Sequence, residues 1–208
     1  MSRKVIITVA PTGSVTTREE TPYLPITPEE VVEETVRSYN AGAALVHLHA
    51  RDPETGRPTG DVEVFRSYVE GIRSRCPIII QITSGGGAIG LGLSYEERLR
   101  PVIELRPDSA SLNAGSMNFG RKLFPNVPEA MEHFASKMAE LGVMPEFEIY
   151  DLSMVQNVDI WIRRPALVPP PYHNSFVMGV VGGIPPTIKN LVLLAETLPA
   201  GDTWQVIG

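Results

Sequence analysis

Ala44-Leu45-Val46-His47-Leu48-His49 is the stretch on which the reading of this chain turns. The run is apolar enough for a buried strand, yet it carries two histidines two positions apart. Strand side chains alternate between faces, so both rings point the same way while Leu48 turns to the other side. Two imidazoles on one face can share a metal ion, or form a hydrogen-bonded pair in a polar pocket. Similar apolar runs recur at Val5 to Val9, Pro77 to Ile82, Asp108 to Asn113, Met144 to Tyr150, Ser175 to Val180 and Thr203 to Ile207. Each reads as a buried strand.

Helical patterns separate these strands. Thr27-Pro28-Glu29-Glu30 is a helix start, with Thr27 as cap, Pro28 in the first turn and Glu30 closing a capping box, and this helix should end near Gly42. Phe65, Tyr68, Val69 and Ile72 fall at helical spacing within Val62 to Ser74, and a third helix follows the Ser94-x-x-Glu97 box. Pro128 to Leu141, the residues after Asp151, and Ile188 to Leu198 supply the others. Strict strand–helix alternation implies a parallel sheet, either open and doubly wound or closed as a barrel. Polar residues of catalytic type near the C-terminal ends of several strands favour the barrel, as does the lack of a Gly-rich dinucleotide turn after the first strand. The expected fold is α/β, a (β/α)₈ TIM barrel formed by residues 1–208 as a single domain. With seven strands read, Gly208 is expected to end a fragment that lacks the eighth strand.

Composition narrows the function classes. With 43% hydrophobic and 20% charged residues in 208, the chain can build one large core. Met1 to Lys4 lead into an apolar run too short for a signal peptide, and no stretch approaches the roughly 20 apolar residues of a membrane span. The single cysteine, Cys76, is expected as a small core residue, and a reducing, cytoplasmic setting fits. A net charge of −6 with dispersed cations gives neither a nucleic-acid footprint nor a lipid-binding patch, so small molecules are the expected partners.

The same parity argument places other groups. Glu146 and Glu148 share one face of the fifth strand, opposite Phe147 and Ile149, and two buried carboxylates need partners: a metal, a substrate proton or an arginine. Ser109, Ser111 and Asn113 share a face of the fourth strand, where Asn113 is placed to donate to a substrate oxygen or to cap a loop. Thr83-Ser84-Gly85-Gly86-Gly87 after the third strand lets backbone N–H groups and hydroxyls approach an anion, or simply turns the chain. Gly182-Gly183, ahead of Pro185-Pro186 and a helix, offers another close backbone approach to a ligand. His133 and His173 read as surface and loop residues without a role. A catalytic zinc site takes three protein ligands, so the histidine pair needs a third, and Glu148 is the nearest carboxylate of the right type within the chain.

Taken in order, Thr12-Gly13, Leu24-Pro25-Ile26-Thr27-Pro28-Glu29, His47-Leu48-His49-Ala50-Arg51-Asp52, the Thr83-Ser84-Gly-Gly loop, Ser111 to Phe119 and Pro145-Glu146-Phe147-Glu148 resemble the β-keto acid cleavage enzymes. The resemblance implies a Zn²⁺ barrel, a homo-oligomer and by that resemblance a tetramer, that takes a β-keto acid and acetyl-CoA to acetoacetate and a new acyl-CoA. It implies His47 and His49 as zinc ligands, Ser111, Asn113 and Glu148 as catalytic residues, and Thr83 or Ser84 as the substrate-binding hydroxyl. Two departures follow. Members acting on an aminated substrate carry a glutamate in the first loop, where this chain has Val15, so a neutral or apolar substrate side chain is expected. The family's third zinc ligand, a glutamate, and its catalytic arginine and aspartate are expected beyond Gly208, so the fragment alone is expected to be nearly inactive.

Amidohydrolase-type metal hydrolases are the rival enzyme class, but their His-x-His belongs on the first strand. They also want histidines at the ends of the fifth and sixth strands, which here read Glu148-Ile149-Tyr150 and Met178-Gly179-Val180. A non-catalytic barrel that binds a CoA ester or metal is the other alternative.

Overall fold

The computed structural model describes residues 5–86, 89 and 91–207. Met1 to Lys4, Gly87 and Gly208 therefore lie outside the described residues. The elements run β1 (Thr8–Val9), α1 (Pro28–Asn40), β2 (Leu45–Leu48), α2 (Val62–Arg73), β3 (Ile79–Ile82), α3 (Tyr95–Leu105), β4 (Ser109–Asn113), β5 (Met117–Phe119), β6 (Lys122–Phe124), α4 (Pro128–Leu141), β7 (Met144–Ile149), α5 (Leu152–Val158), a π-helical turn (Asp159–Arg163), β8 (His173–Val177), α6 (Ile188–Thr197) and β9 (Thr203–Ile207).

Seven of the strands form one parallel sheet in the order β1-β2-β3-β4-β7-β8-β9, each beside its successor. The sheet curls until its first and last strands touch across the concave face: Thr8 Oγ1 donates to Gln205 Oε1 at 2.9 Å. Thr8, Gln81, Glu146 and Gln205 come from alternate strands of the sheet and are joined by hydrogen bonds into one layer, the interior packing of a (β/α) barrel. The outward residues Val46, Leu48, Ile80, Ile82, Leu112, Phe147, Ile149 and Phe176 are buried against the apolar stripes of the helices. That alternation, apolar outward and polar inward, puts the chemistry inside the barrel. Cys76 is buried and free in the outer core. Among the described residues, no helix is long and apolar enough to cross a membrane.

The helix starts follow their sequence signals. Thr27 accepts from the Glu30 amide while Glu30 returns the bond, and Ser94 and Glu97 repeat the pattern at α3. Asp61 caps α2 through the Glu63 amide.

Three features differ from the sequence reading. The antiparallel pair β5–β6, outside the main sheet, has strands of three residues, too short to show a period. The sixth sheet strand spans His173–Val177 rather than Ser175 to Val180, because His173 pairs with Glu146 and Thr203 in the ladder and Gly179, at φ +86°, turns the chain. His173 is thus a strand residue, not a loop residue. In the first strand only Thr8 and Val9 join the ladder, while Val5, Ile6 and Ile7 are exposed.

Candidate active site

The register that pairs His47 with Gln81, Asn113 with Glu148 and Glu148 with Ser175 gathers the inward polar groups around one cavity. Its wall includes His47, His49, Thr83, Glu148 and Tyr150, with Gly13 and Ser14 from the first loop and Phe119 and Phe124 from the hairpin. The two imidazoles meet through their Nε2 atoms, 3.1 Å apart, with the rings edge to face. His47 Nδ1 lies 2.5 Å from Gln81 Oε1, and His49 Nδ1 is buried with no partner among the described residues. Burial, with His47 and Arg51 close by, holds His49 well below the usual imidazole range, so at pH 7 it is neutral with a lone pair to offer.

Glu148 faces the same cavity. Its Oε2 accepts from Asn113 Nδ2 at 2.6 Å and from the Tyr150 hydroxyl at 2.9 Å. Burial pushes the Glu148 carboxyl above its ordinary value; His47 opposes that, the nearby Glu146 adds to it, and the two donors pull it part of the way back. Burial and the neighbouring carboxylate push the Tyr150 phenol well up, so its O–H stays a donor. Asn113 is expected from the sequence either to donate to a substrate oxygen or to cap a loop. The register puts Glu148 beside it, so its amide nitrogen is spent on that carboxylate, and the group left without a partner among the described residues is the acceptor Oδ1.

The loop after β3 divides the two hydroxyls. Ser84 Oγ donates to the Ser111 carbonyl, and the Ser84 amide reaches Ser111 Oγ at 3.4 Å, so Ser84 and Ser111 hold each other. Thr83 instead lines the cavity, its Oγ1 accepting from the Gly85 amide. The glycines are needed for proximity: a Cβ on Gly85 would stand 2.8 Å from Asn113 Oδ1, and one on Gly86 3.0 Å from His49 Nδ1. Arg98 braces the loop from behind, donating to the carbonyls of Ser84 and Pro125 and to Asn126 Oδ1, between the rings of Phe124 and Phe134. Burial lowers this guanidinium to about 10, and it remains a cation at neutral pH.

Two expected contributors sit elsewhere. Gly182 and Gly183 are explained by chain packing rather than by the cavity: a Cβ on Gly182, at φ +103°, would overlap the Asn118 carbonyl, and one on Gly183 would press on that of Tyr150. Val15 is 70% exposed, and it is its neighbours Gly13 and Ser14 that line the cavity. His133 is exposed on α4, as expected, while His173 reaches inward, its Nε2 3.5 Å from Glu146 Oε2. The sequence reading assigned nothing to Gln81, Tyr150 or Arg98. A lone amide in the run Ile78-Ile79-Ile80-Gln81-Ile82 was the available signal for the first of these.

The histidine pair suits a metal. Nε2 atoms 3.1 Å apart are close to the edge of a tetrahedron of zinc ligands, about 3.3 Å for bonds of about 2.0–2.1 Å. Among the described residues no group of three His, Cys, Asp or Glu side chains converges, so the pair could supply two ligands to a metal, and Glu148 faces them without joining a cluster.

Known proteins resemble this chain in sequence and in fold. The family model described as beta-keto acid cleavage enzyme matches residues 4–208. The 3-keto-5-aminohexanoate cleavage enzyme of Fusobacterium nucleatum is 39% identical over 100% of this chain and 74% of its own length. The 3-oxoadipate:acetyl-CoA acetyltransferase of Cupriavidus necator is 38% identical over 100% of this chain and 72% of its own. Among solved structures, apo ObcA superimposes with a TM-score of 0.69 at 27% identity; the match covers 76% of this chain and 37% of that one.

Proposed function

The chain belongs to the β-keto acid cleavage enzyme family, and from that premise we propose that its barrel exchanges acyl groups between a β-keto acid and acetyl-CoA, with His47 and His49 holding Zn²⁺ or a similar divalent ion. The observation that carries this reading is a buried carboxylate of raised pKa, Glu148, sharing one cavity wall with the His47–His49 pair, of which His49 is neutral. The relatives' names supply the reactants: one acts on an aminated β-keto acid, another transfers acetyl from acetyl-CoA to a β-keto diacid.

The chemistry needs a base first. The C2 protons of a β-keto acid lie between two carbonyl carbons, and Glu148, once ionised, is the group placed to take one. Asn113 and Tyr150 fix Oε2, which leaves Oε1 for the substrate. The C2 carbanion attacks the acetyl-CoA carbonyl, a carbon–carbon bond forms and the C–S bond breaks. The released thiolate then attacks the original keto carbon, the C2–C3 bond breaks, the resulting C2 carbanion takes back the proton held on Glu148, and acetoacetate and the new acyl-CoA leave. Thr83 is positioned to donate to a substrate oxygen, and Ser111 acts through Ser84 by holding the loop. A bound ion would polarise the keto oxygen as a Lewis acid.

The test is acetoacetate release from a panel of β-keto acids with acetyl-CoA, run on the full-length gene product with zinc and after chelation. Chelation is expected to lower turnover at least tenfold and zinc to restore it. No release with zinc demonstrably bound would favour a hydrolase or a non-catalytic binding barrel. By resemblance the remaining ligand, an arginine and an aspartate are expected downstream, so residues 1–208 alone should be nearly inactive. The assembly is expected to be a tetramer, read by analytical ultracentrifugation.

Substrate choice follows from the first loop. With Val15 beside the cavity-lining Ser14, neutral β-keto acids should exceed aminated ones in kcat/KM. Val15→Glu should shift that ratio toward the aminated substrate only a few-fold, since an exposed ion pair is worth about 0.2–1 kcal/mol. An aminated acid that proves best in the unaltered protein would sink this assignment.

A further inference from the structure

Below the imidazole pair lies a buried amide–carboxylate network that the proposed chemistry does not use. Glu146, fully buried, accepts through Oε2 from Gln81 Nε2 at 3.0 Å and from Gln205 Nε2 at 2.9 Å. Gln81 Nε2 also donates to Ser109 Oγ at 3.1 Å, so both hydrogens of that amide are committed. Its carbonyl oxygen is thereby aimed at His47 Nδ1, 2.5 Å away.

We infer that Gln81 and Glu146 are positioning residues that hold His47 in its Nδ1–H tautomer, leaving Nε2 bare toward His49. A neutral imidazole has one donor and one acceptor nitrogen. An amide oxygen at Nδ1 can only accept, so the proton resides there and the lone pair faces the cavity. Glu146 prevents the alternative, because turning the Gln81 amide over would set its oxygen against Glu146 Oε2 and its N–H against Nδ1. The selection is one-sided: His49 Nδ1 has no partner among the described residues, so His47 is the fixed member of the pair and His49 the adaptable one. The inference rests on the metal reading of the pair only for its purpose; the tautomer itself follows from the hydrogen bonds. In metal sites, groups that orient a ligating histidine in this way typically alter affinity by about 10- to 100-fold.

Nitrogen-15 NMR of the metal-stripped, full-length protein tests it directly. His47 should show a protonated, pyrrole-type Nδ1 and a bare, pyridine-type Nε2. Gln81→Leu should populate the other tautomer and weaken Zn²⁺ binding, measured by competition with a chromophoric chelator, about 10- to 100-fold. Gln205→Met removes the other amide from the same carboxylate without touching His47, and should leave zinc affinity within about twofold of the unaltered protein. A protonated Nε2 in the unaltered protein overturns the inference, as does equal weakening by Gln205→Met, which would mark the network as packing alone. Failure of the unaltered protein to bind zinc would sink the metal reading, while the NMR result would still decide the tautomer. That measurement needs no variant and so survives a Gln81→Leu protein that fails to fold.

Discussion

Glu148→Gln is expected to lower kcat by about 10³-fold, within the usual range of general acid–base contributions, while raising the melting temperature near neutral pH. The two effects have one cause. Burial raises the Glu148 carboxyl above its ordinary value, so folding disfavours the ionised form that the reaction needs. The sign follows from linkage: with a folded pKa above the unfolded one, the folded state binds the extra proton, and stability falls as pH rises from the unfolded value through the folded one. Below that window the penalty is absent, and above it the penalty is complete. A glutamine never ionises, and its amide oxygen can still accept from Asn113 and Tyr150, so the variant escapes the penalty. Thermal melts of both proteins across pH 4 to 8 should diverge as pH rises, with the variant ahead. The kcat/KM of the unaltered enzyme should show an acid limb above the ordinary carboxylate range, and the residual rate of the variant should lack it. A variant that loses stability as pH rises relative to the unaltered protein would remove Glu148 as the strained base.

Much of this site was legible because it depends on parity alone. Once Leu48 was read as outward, His47 and His49 had to share the inner face, and the same rule placed Glu146 with Glu148 and Ser111 with Asn113. The capping boxes at Thr27 and Ser94 fixed helix starts through local bonds. What parity could not give was register between strands. That Asn113 stands beside Glu148 and donates to it, rather than capping a loop, is a fact about β4 against β7. Gln81 meets Glu146 across 65 residues of sequence, and nothing local to Ile79–Ile82 announces it. The Gly182-Gly183 turn was read as an approach to a ligand because tight backbone packing against Asn118 and packing against a ligand need the same residue. His173 was missed for a related reason: the strand signal begins with the apolar residues after it, while its own place in the ladder comes from Glu146 and Thr203 on either side.

Arg51→Met is expected to destabilise the fold by about 3 kcal/mol and to raise KM more than it lowers kcat. Arg51 is 2% exposed and has no carboxylate partner among the described residues; its guanidinium donates instead to the carbonyls of Thr12, Thr16 and Gly56. Hydrogen bonds to a charged group contribute about 1.5–3 kcal/mol each, and relief from burying the cation offsets part of their sum, which is why the net loss is set near 3. In a chain of this size that is a fall of roughly 6–12 °C in Tm. The functional effect follows from what is released. Thr12 Oγ1 accepts from the His49 amide, and Gly13 and Ser14 of the same loop line the cavity. Arg51 therefore ties the first loop to the strand that carries the imidazoles, and without it the loop must be ordered by the substrate. That ordering is charged to binding, so KM should rise about tenfold with kcat changed less, whereas Glu148→Gln leaves the loop intact and acts on kcat. Arg51→Lys keeps the charge but not the fork that spans three carbonyls, and should recover little of either loss. An Arg51→Met protein with unchanged KM at a lowered Tm would confine Arg51 to the core.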